Sequence, residues 1–580
     1  MNPWRVSLIL AAACLAPTTA AIVGLDHFAS AEFRINTQVY GDQRVPLLAS
    51  QPDGEVLVVW QTPGPPGKSW DVVARRIDAD GVLQAPELQV NGYGVGRQDG
   101  QHAAALATGG WVVVWSGESR GSGVPGIQAR RLDAASDPIG SDLEVGGQFG
   151  ELNLLPRVVP AADGGFLVAW EGRGIFDDTM SIHGQAFDAS GNLDGPLLRV
   201  SRLENTQQRR VDLARSGSGR TFFAWQSSER DGDGWGIYGR CLGEDGSDSG
   251  DFGINQSTTG SQTQPRVAAL ADGGFAVVWQ DDRGRSTFEY RRVMLRHFDA
   301  QCQPAGDETQ VNQFDQGIQD LPAISAGPDG VQVVVWQSLP DDFDQQGIFA
   351  RRIGGDGNFH GDERRLSIER EAYQDFPDVE MRPGGGFLAV WESAGQELSG
   401  FGIFGRLFDG PSAAVLETVS GDSQSASLGE AFAERLVVRL RDQWGVALAG
   451  QPVRFDSSPS GPGIVFADGA SSRMVTTDGQ GLAAVDAFAN DQAGAHEVGV
   501  EVPGRPVRTI LRLSNLGDPP VEPPVEPPVE PPVEPPATPR PVPLGDRLGW
   551  LLMAAGLLLL GRRTLRGRPR RGVAGRRQGL

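Results

Sequence analysis

Short apolar runs that end in tryptophan recur along most of the chain, among them EVLVVW, WVVVW, GFLVAW, GFAVVW and VQVVVW. A glycine-rich turn usually precedes each run. Because almost every position in a run is apolar, we expect these strands to be buried on both faces. The tryptophans recur about every 55 residues, a spacing typical of repeat architectures: Trp60, Trp115, Trp170, Trp225, Trp279, Trp336 and Trp391.

Each repeat continues with a second strand that often ends in arginine and aspartate, as in VVARRID and GIQARRLD. A short strand such as ELQVN and a further strand such as RVAAL complete the unit. Four short strands separated by turns predict one blade of a β-propeller. Residues 32–410 are therefore predicted to form a seven-bladed β-propeller, with an open array of sheets as the alternative. The unpaired segment EFRIN at residues 32–36 is expected to complete the last blade and close the ring.

This repeat is similar to the GGF-VVW…GIFARRFDADG units of large secreted bacterial proteins of the adhesin and RTX kind, which implies exposure at the cell surface. Residues 413–514 leave the period but contain LVVRLRD, GQPVRF and TDGQG in order. They resemble a bacterial Ig-like domain of the first type (Big-1), as found in intimin and invasin. The resemblance implies a β-sandwich that acts as a spacer, and about seven short alternating strands in this segment agree with it.

Both ends of the chain carry targeting patterns. Residues 1–21 contain Arg5, an apolar stretch and small residues, which predicts a signal peptide cleaved after Ala20 or Ala21. A cut after Ala31 and a lipoprotein role for Cys14 are alternatives. The last segment, residues 546–580, holds a short apolar run and an arginine-rich tail that favours a cytoplasmic end.

That C-terminal segment resembles bacterial sorting signals of the Ile-Pro-Thr-Leu type, with Val542-Pro543-Leu544 and Trp550 in the matching places. The threonine is missing, so a plain transmembrane anchor is the alternative. Residues 517–545 repeat VEPP four times, which predicts a stiff polyproline II stalk. We expect an exported envelope or cell-surface protein, either held by the inner membrane and handled by sorting machinery or released after processing.

Composition agrees with this picture. Glycine (79) and proline (40) are too abundant for a mainly helical chain, and 39% hydrophobic residues exclude wholesale disorder. A net charge of −22 argues against nucleic acid as a partner. In an oxidising compartment Cys241 and Cys302 are candidates for a disulfide, although spacing alone leaves their pairing open.

No assembled catalytic motif is visible in the sequence. Gly117-Glu118-Ser119-Arg120-Gly121 fits G-x-S-x-G but follows a strand in a predicted loop, and the six histidines show no ligand spacing. Acidic loops after several tryptophans offer hard oxygen ligands, so Asp231 and Asp233 are candidate Ca²⁺ ligands, with ordinary turn chemistry as the alternative. No other cofactor is expected.

These patterns predict a non-enzymatic surface protein whose propeller binds a glycan or protein partner outside the cell. Two alternatives stay open. A secreted propeller hydrolase or lyase requires acids, arginines or tyrosines that converge on the central channel. A purely structural envelope protein requires no site at all.

Overall fold

A computed structural model describes residues 29–517 apart from 65–69, 85, 95, 119–124, 147–151, 175–178, 203–205, 285–289, 315, 340–346 and 371–372. The chain divides into two compact units, Met1–Pro519 and Pro520–Leu580. The predicted signal peptide, stalk and C-terminal apolar segment lie outside the described residues. The described part is all-β, without a helix, and so holds no apolar helix that could cross a membrane.

Seven antiparallel four-stranded sheets occupy the described residues from 33 to 408. β1 (Phe33–Arg34) comes before the strands of sheet 1. Sheets 1 to 3 contain β2 (Arg44–Ser50), β3 (Val56–Pro63), β4 (Trp70–Ile77) and β5 (Leu88–Gln89); β6 (Gln98–Ala105), β7 (Trp111–Glu118), β8 (Pro125–Leu132) and β9 (Pro138–Glu144); and β10 (Leu152–Pro160), β11 (Phe166–Arg173), β12 (Ser181–Phe187) and β13 (Leu198–Arg199).

Sheets 4 to 7 repeat this order. Their strands are β14 (Gln208–Arg215), β15 (Thr221–Ser228), β16 (Trp235–Leu242) and β17 (Phe252–Gly253); β18 (Gln262–Ala269), β19 (Phe275–Asp281), β20 (Arg292–Phe298) and β21 (Thr309–Gln310); β22 (Ile318–Ala326), β23 (Gln332–Leu339), β24 (Gly347–Ile353) and β25 (Phe359–Arg365); and β26 (Gln374–Met381), β27 (Phe387–Ala394) and β28 (Phe401–Phe408) with β1.

The first strands of the sheets form a continuous ring. Each packs against the first strand of the next sheet, and β26 packs against β2. β1 pairs antiparallel with β28, with Phe33 opposite Gly405 and Arg34 opposite Phe404. The last sheet therefore combines strands from both ends of the repeat region, and the arrangement is that of a β-propeller around a central channel.

The repeated tryptophans are at most 1% exposed and pack between neighbouring sheets. In five sheets the indole N–H donates to an amide oxygen at the start of the same sheet's first strand. The N···O distances are 3.0 Å for Trp60–Gln43, 2.9 Å for Trp115–Gln98, 2.9 Å for Trp170–Asn153, 2.6 Å for Trp225–Gln208 and 3.0 Å for Trp336–Gln319. Each buried indole nitrogen in this set is thereby satisfied.

The arginines near the ends of the third strands join neighbouring sheets. The guanidinium of Arg296 donates to the carbonyl of Ile254 at 2.7 Å, and that of Arg351 donates to Val311 at 2.8 Å. Equivalent bonds run from Arg75, Arg240 and Arg406. A disulfide between Cys241 and Cys302 also joins sheet 4 to sheet 5.

A second β domain follows, in which a three-stranded, a five-stranded and a two-stranded sheet enclose one core. Trp444 of this domain is 3% exposed and packs instead against Phe387 and Phe408 of sheet 7. The strands are β29 (Ala413–Ser420), β30 (Gln424–Ser427), β31 (Leu436–Asp442), β32 (Pro452–Ser457), β33 (Ile464–Val465), β34 (Ser472–Thr476), β35 (Leu482–Val485), β36 (Phe488–Ala489), β37 (Gly494–Glu501) and β38 (Arg508–Leu516).

Candidate active site in the central channel

A β-bulge interrupts the first strand of every one of the seven sheets at the same place. The bulged residue has a positive φ, for example 53° at Val45 and 48° at Phe376. Side chains of the preceding sheet stabilise several bulges, since Glu392 accepts a hydrogen bond from the Val45 N–H and Glu171 accepts one from the Arg210 N–H, each at 2.8 Å. Bulges re-aim the side chains that follow them, here into the channel.

The residue two positions after each bulge lines the channel, and we call these seven positions the waist. They surround a cavity of about 260 Å³ together with the residues that follow them on each strand. In order from sheet 1 to sheet 7 the waist residues are Leu47, His102, Arg157, Asp212, Arg266, Ala323 and Asp378.

Backbone N–H groups fix the polar waist side chains. The N–H of Leu48 donates to Asp378 Oδ2 at 2.8 Å, and the N–H of Val267 donates to Asp212 Oδ2 at 2.8 Å. In each case the donor belongs to the next sheet around the ring. A backbone donor from the neighbouring sheet therefore helps to hold each of these two acids in place.

Asp212 also holds the one buried guanidinium of the waist. Arg157 is 8% exposed and its Nε lies 3.2 Å from Asp212 Oδ1. Burial is the main cause that lowers the pKa of Arg157 to about 10, and the charge of Arg266 lowers it further. The charge of Asp212 raises this pKa and so opposes both effects. The guanidinium stays charged at neutral pH and forms an ion pair with the Asp212 carboxylate.

Glu380, two residues beyond Asp378 on β26, lines the same cavity. The hydroxyls of Ser50 and Ser325 donate to its Oε2 at 3.1 Å and 3.0 Å. Burial and then the neighbouring Asp378 raise the pKa of Glu380 to about 8. Burial also raises the pKa of Asp378, but only to about 6, because the Leu48 N–H and the charge of Arg266 favour the ionised form.

The two acids of β26 consequently differ in protonation at neutral pH. Glu380 keeps its proton, whereas Asp378 is largely ionised. A pair of carboxyl groups whose pKa values are separated by their surroundings suits general acid and general base roles. His102, the waist residue of sheet 2, is neutral, because burial and then the charges of Arg157 and Arg266 lower its pKa well below the usual value.

The channel continues past the waist toward the beginnings of the first strands. A second cavity of about 280 Å³ shares Leu47, Arg157 and Arg266 with the first and adds Arg210 and Phe376. The second strand of each sheet, which carries the repeated tryptophan, runs antiparallel to the first strand. The loops that follow the tryptophans therefore lie at this end of the channel. The waist is thus accessible to a ligand from the bulged end.

A further group of carboxyls lies at the bulged end of sheet 7. Asp375 is directly opposite Glu392 in the β26–β27 pair, and burial followed by the charge of Glu392 raises the pKa of Asp375 to about 7. Glu392 accepts a 2.7 Å hydrogen bond from Arg44. The first strand of sheet 7 therefore carries three carboxyl groups with raised pKa values.

The candidate calcium ligands lie elsewhere, in the loop after Trp225. Asp231 Oδ2 accepts a hydrogen bond from Asn255 at 3.2 Å, and Asp233 Oδ2 accepts one from the N–H of Gly260 at 3.0 Å. Within the described ranges no group of three or more histidine, cysteine or acidic side chains is arranged to hold a metal ion. A calcium role for these two residues stays a prediction.

The sequence motifs did not identify the waist, because its seven positions hold five different residue types. One signal was present. Proline precedes the waist residue in five of the seven first strands, and these prolines are Pro46, Pro156, Pro265, Pro322 and Pro377. An alignment of the repeats on these prolines places His102, Arg157, Asp212, Arg266 and Asp378 in one column.

No known protein family and no curated protein sequence matches this chain. Among solved structures, a protein of unknown function from Dyadobacter fermentans DSM 18053 is 10% identical, with 65% of this chain and 97% of that chain covered and a TM-score of 0.41. The polysaccharide lyase Uly1 is 10% identical over 64% and 91% of the two chains, with a TM-score of 0.41. An α-L-arabinanase from Penicillium chrysogenum is 15% identical over 54% and 94%, with a TM-score of 0.38.

The prediction of a non-enzymatic binding protein is wrong. It rested on the absence of an assembled catalytic set, but the channel brings together the acids and arginines that the enzyme alternative required. No tyrosine is among the described residues that line either half of the channel.

Proposed function

We propose that this protein is a carbohydrate-active enzyme that cleaves glycosidic linkages by acid–base chemistry in its central channel. The observation that carries the proposal is the convergence of Asp378, Glu380, Arg157 and Arg266 on one cavity. Glycosidic oxygens are poor leaving groups and need a proton from a neutral acid, while a second group in its ionised form acts as the base. Hydrolysis and elimination both use such an acid–base pair.

In this assignment Glu380 is the general acid and Asp378 the general base. Glu380 holds its proton at neutral pH because its surroundings disfavour the charged form, and the two serine hydroxyls fix the orientation of its carboxyl group. Asp378 is oriented by the Leu48 N–H, which donates to its Oδ2 at 2.8 Å. When a sugar binds, Glu380 donates its proton to the departing oxygen while Asp378 accepts a proton from water or from a sugar carbon.

The proposal is tested by incubating the full chain with a panel of polysaccharides. New reducing ends report cleavage, and ultraviolet absorbance of an unsaturated product distinguishes elimination from hydrolysis. Glu380→Gln and Asp378→Asn are each expected to reduce kcat by roughly a hundredfold or more. The exposed Glu497→Gln is the matched control and should be unchanged. Cleavage that survives both channel substitutions would contradict the assignment.

We further infer that the seven sheets form a closed seven-bladed propeller and that residues 413–514 form an Ig-like spacer domain. The pairing of β1 with β28 and the separate core of the second domain support these inferences. The terminal sequence patterns support export, with residues 546–580 as an anchor or sorting segment. In this arrangement the channel acts on glycans outside the cytoplasm.

A further inference from the structure

Arg266 differs from the other charged residues of the waist because no described residue pairs with it. Its side chain is partly buried and lines both halves of the channel. No hydrogen bond or ion pair joins its guanidinium to the described residues of the chain. A cation withdrawn from water without a partner is costly, so this site favours a bound anion.

The waist acid of the neighbouring sheet 4, Asp212, already has partners for both of its carboxylate oxygens. Asp212 uses one oxygen for Arg157 and the other for the Val267 N–H. The sixth waist position, on the other side of Arg266, is alanine. Asp212 therefore offers no free oxygen to Arg266, and Asp378, whose pKa the charge of Arg266 lowers, makes no ion pair with it.

The neutral His102 adds a hydrogen-bond donor on sheet 2, which neighbours the sheet of Arg157. Its Nδ1 accepts a hydrogen bond from the Val158 N–H at 3.3 Å, which leaves the proton on Nε2. Two guanidinium groups and one imidazole N–H thus belong to sheets 2, 3 and 5. Asp378 and Glu380 belong to sheet 7, so the donors and the carboxyl groups approach a bound sugar from different sheets.

We propose that Arg266, together with Arg157, binds the carboxylate of a uronic acid residue, so that the substrate is an acidic glycan. A planar carboxylate matches the planar guanidinium of Arg266 and accepts two parallel hydrogen bonds from it. A doubly charged phosphate would add negative charge beside Asp378. This inference rests on the proposed function, because the carboxylate holds the sugar ring against Glu380 and Asp378.

Binding is measured by calorimetry with the full-length Glu380→Gln protein, so that a cleaving enzyme does not consume the probe. The probes are oligosaccharides of matched length made of uronic acids, of neutral sugars and of sulfated neutral sugars. We expect the uronic acid oligosaccharide to bind most tightly. Adding Arg266→Gln should weaken it roughly tenfold to a hundredfold, as expected for loss of a charge-assisted hydrogen bond.

Arg508→Gln, which removes an exposed arginine of the second domain, is the matched control and should leave binding unchanged. Arg266→Lys keeps the charge but loses the planar pair of donors, so intermediate binding is expected even if Arg266→Gln folds poorly. Equal affinity for neutral and uronic acid probes would overturn the inference, as would tighter binding of the sulfated probe or full affinity in Arg266→Gln.

The two proposals fail in different ways. Uronic acid binding that depends on Arg266, without cleavage of any glycan by the unmodified protein, would support the binding site and contradict the enzyme. Cleavage of a neutral glycan that is unaffected by Arg266→Gln would support the enzyme and overturn the binding site.

Discussion

The raised pKa of Glu380 makes a quantitative prediction about stability. In the native state Glu380 has a pKa of about 8, whereas in the unfolded chain its pKa is near 4.5. Between these values the native state binds more protons than the unfolded state, so the free energy of unfolding falls as pH rises. The penalty is absent below about pH 4.5 and complete above about pH 8.

The slope of this fall is at most about 1.4 kcal/mol per pH unit, which is the free energy that corresponds to one pKa unit. Over the whole interval Glu380 destabilises the native state by on the order of 4–5 kcal/mol. Glutamine at this position cannot ionise, yet its amide oxygen still accepts hydrogen bonds from Ser50 and Ser325. Glu380→Gln should therefore match the unmodified protein near pH 5 and exceed its stability at pH 9.

Urea unfolding followed by tryptophan fluorescence at half-unit pH steps measures both curves. The control Glu497→Gln should follow the unmodified protein at every pH, because that side chain is exposed. If the Glu380→Gln curve runs parallel to the unmodified curve between pH 5 and 9, Glu380 ionises normally. The general acid assigned to the channel would then be refuted.

Three other predictions concern the framework. Trp170→Phe leaves Asn153 without its indole donor and should lower the free energy of unfolding by about 1–2 kcal/mol in urea titrations, and an unchanged midpoint would contradict that role. Reduction of the Cys241–Cys302 disulfide, which closes a loop of 61 residues, should cost about 2–4 kcal/mol, and reductant should have no further effect on a double serine variant. Trp444→Ala opens a cavity beside sheet 7, so we expect a loss of about 3–5 kcal/mol and separate calorimetric transitions for the two domains; a single unchanged transition would argue against this contact.

The repeat pattern predicted the part of the fold that depends on local order. The recurring tryptophans and the alternating second strands indicated all-β structure built from four-stranded units, and the structure confirms this class. The reason is physical: a strand buried on both faces must be apolar throughout, and a turn must follow within a few residues. Both requirements are visible in any single repeat.

The candidate site was missed because it belongs to no single repeat. Each first strand contributes one side chain at the waist, so Arg157 and Asp378 are neighbours of the same cavity although they are distant in sequence. The pKa of Asp378 depends on burial and on a backbone donor from the neighbouring sheet, and both exist only once the sheets have packed together. A motif search compares residues along the chain and does not detect a ring of dissimilar ones.

By itself the sequence determined the strand type, the period of the repeat and the acidic, glycine-rich character of the chain. Tertiary structure alone decided which side chains meet in the channel and which of them keep a proton at neutral pH. The difference follows from how far apart along the chain the interacting residues lie. Secondary structure depends on contacts within about one repeat, whereas the charge state of Glu380 depends on sheets 1, 6 and 7 meeting around one cavity.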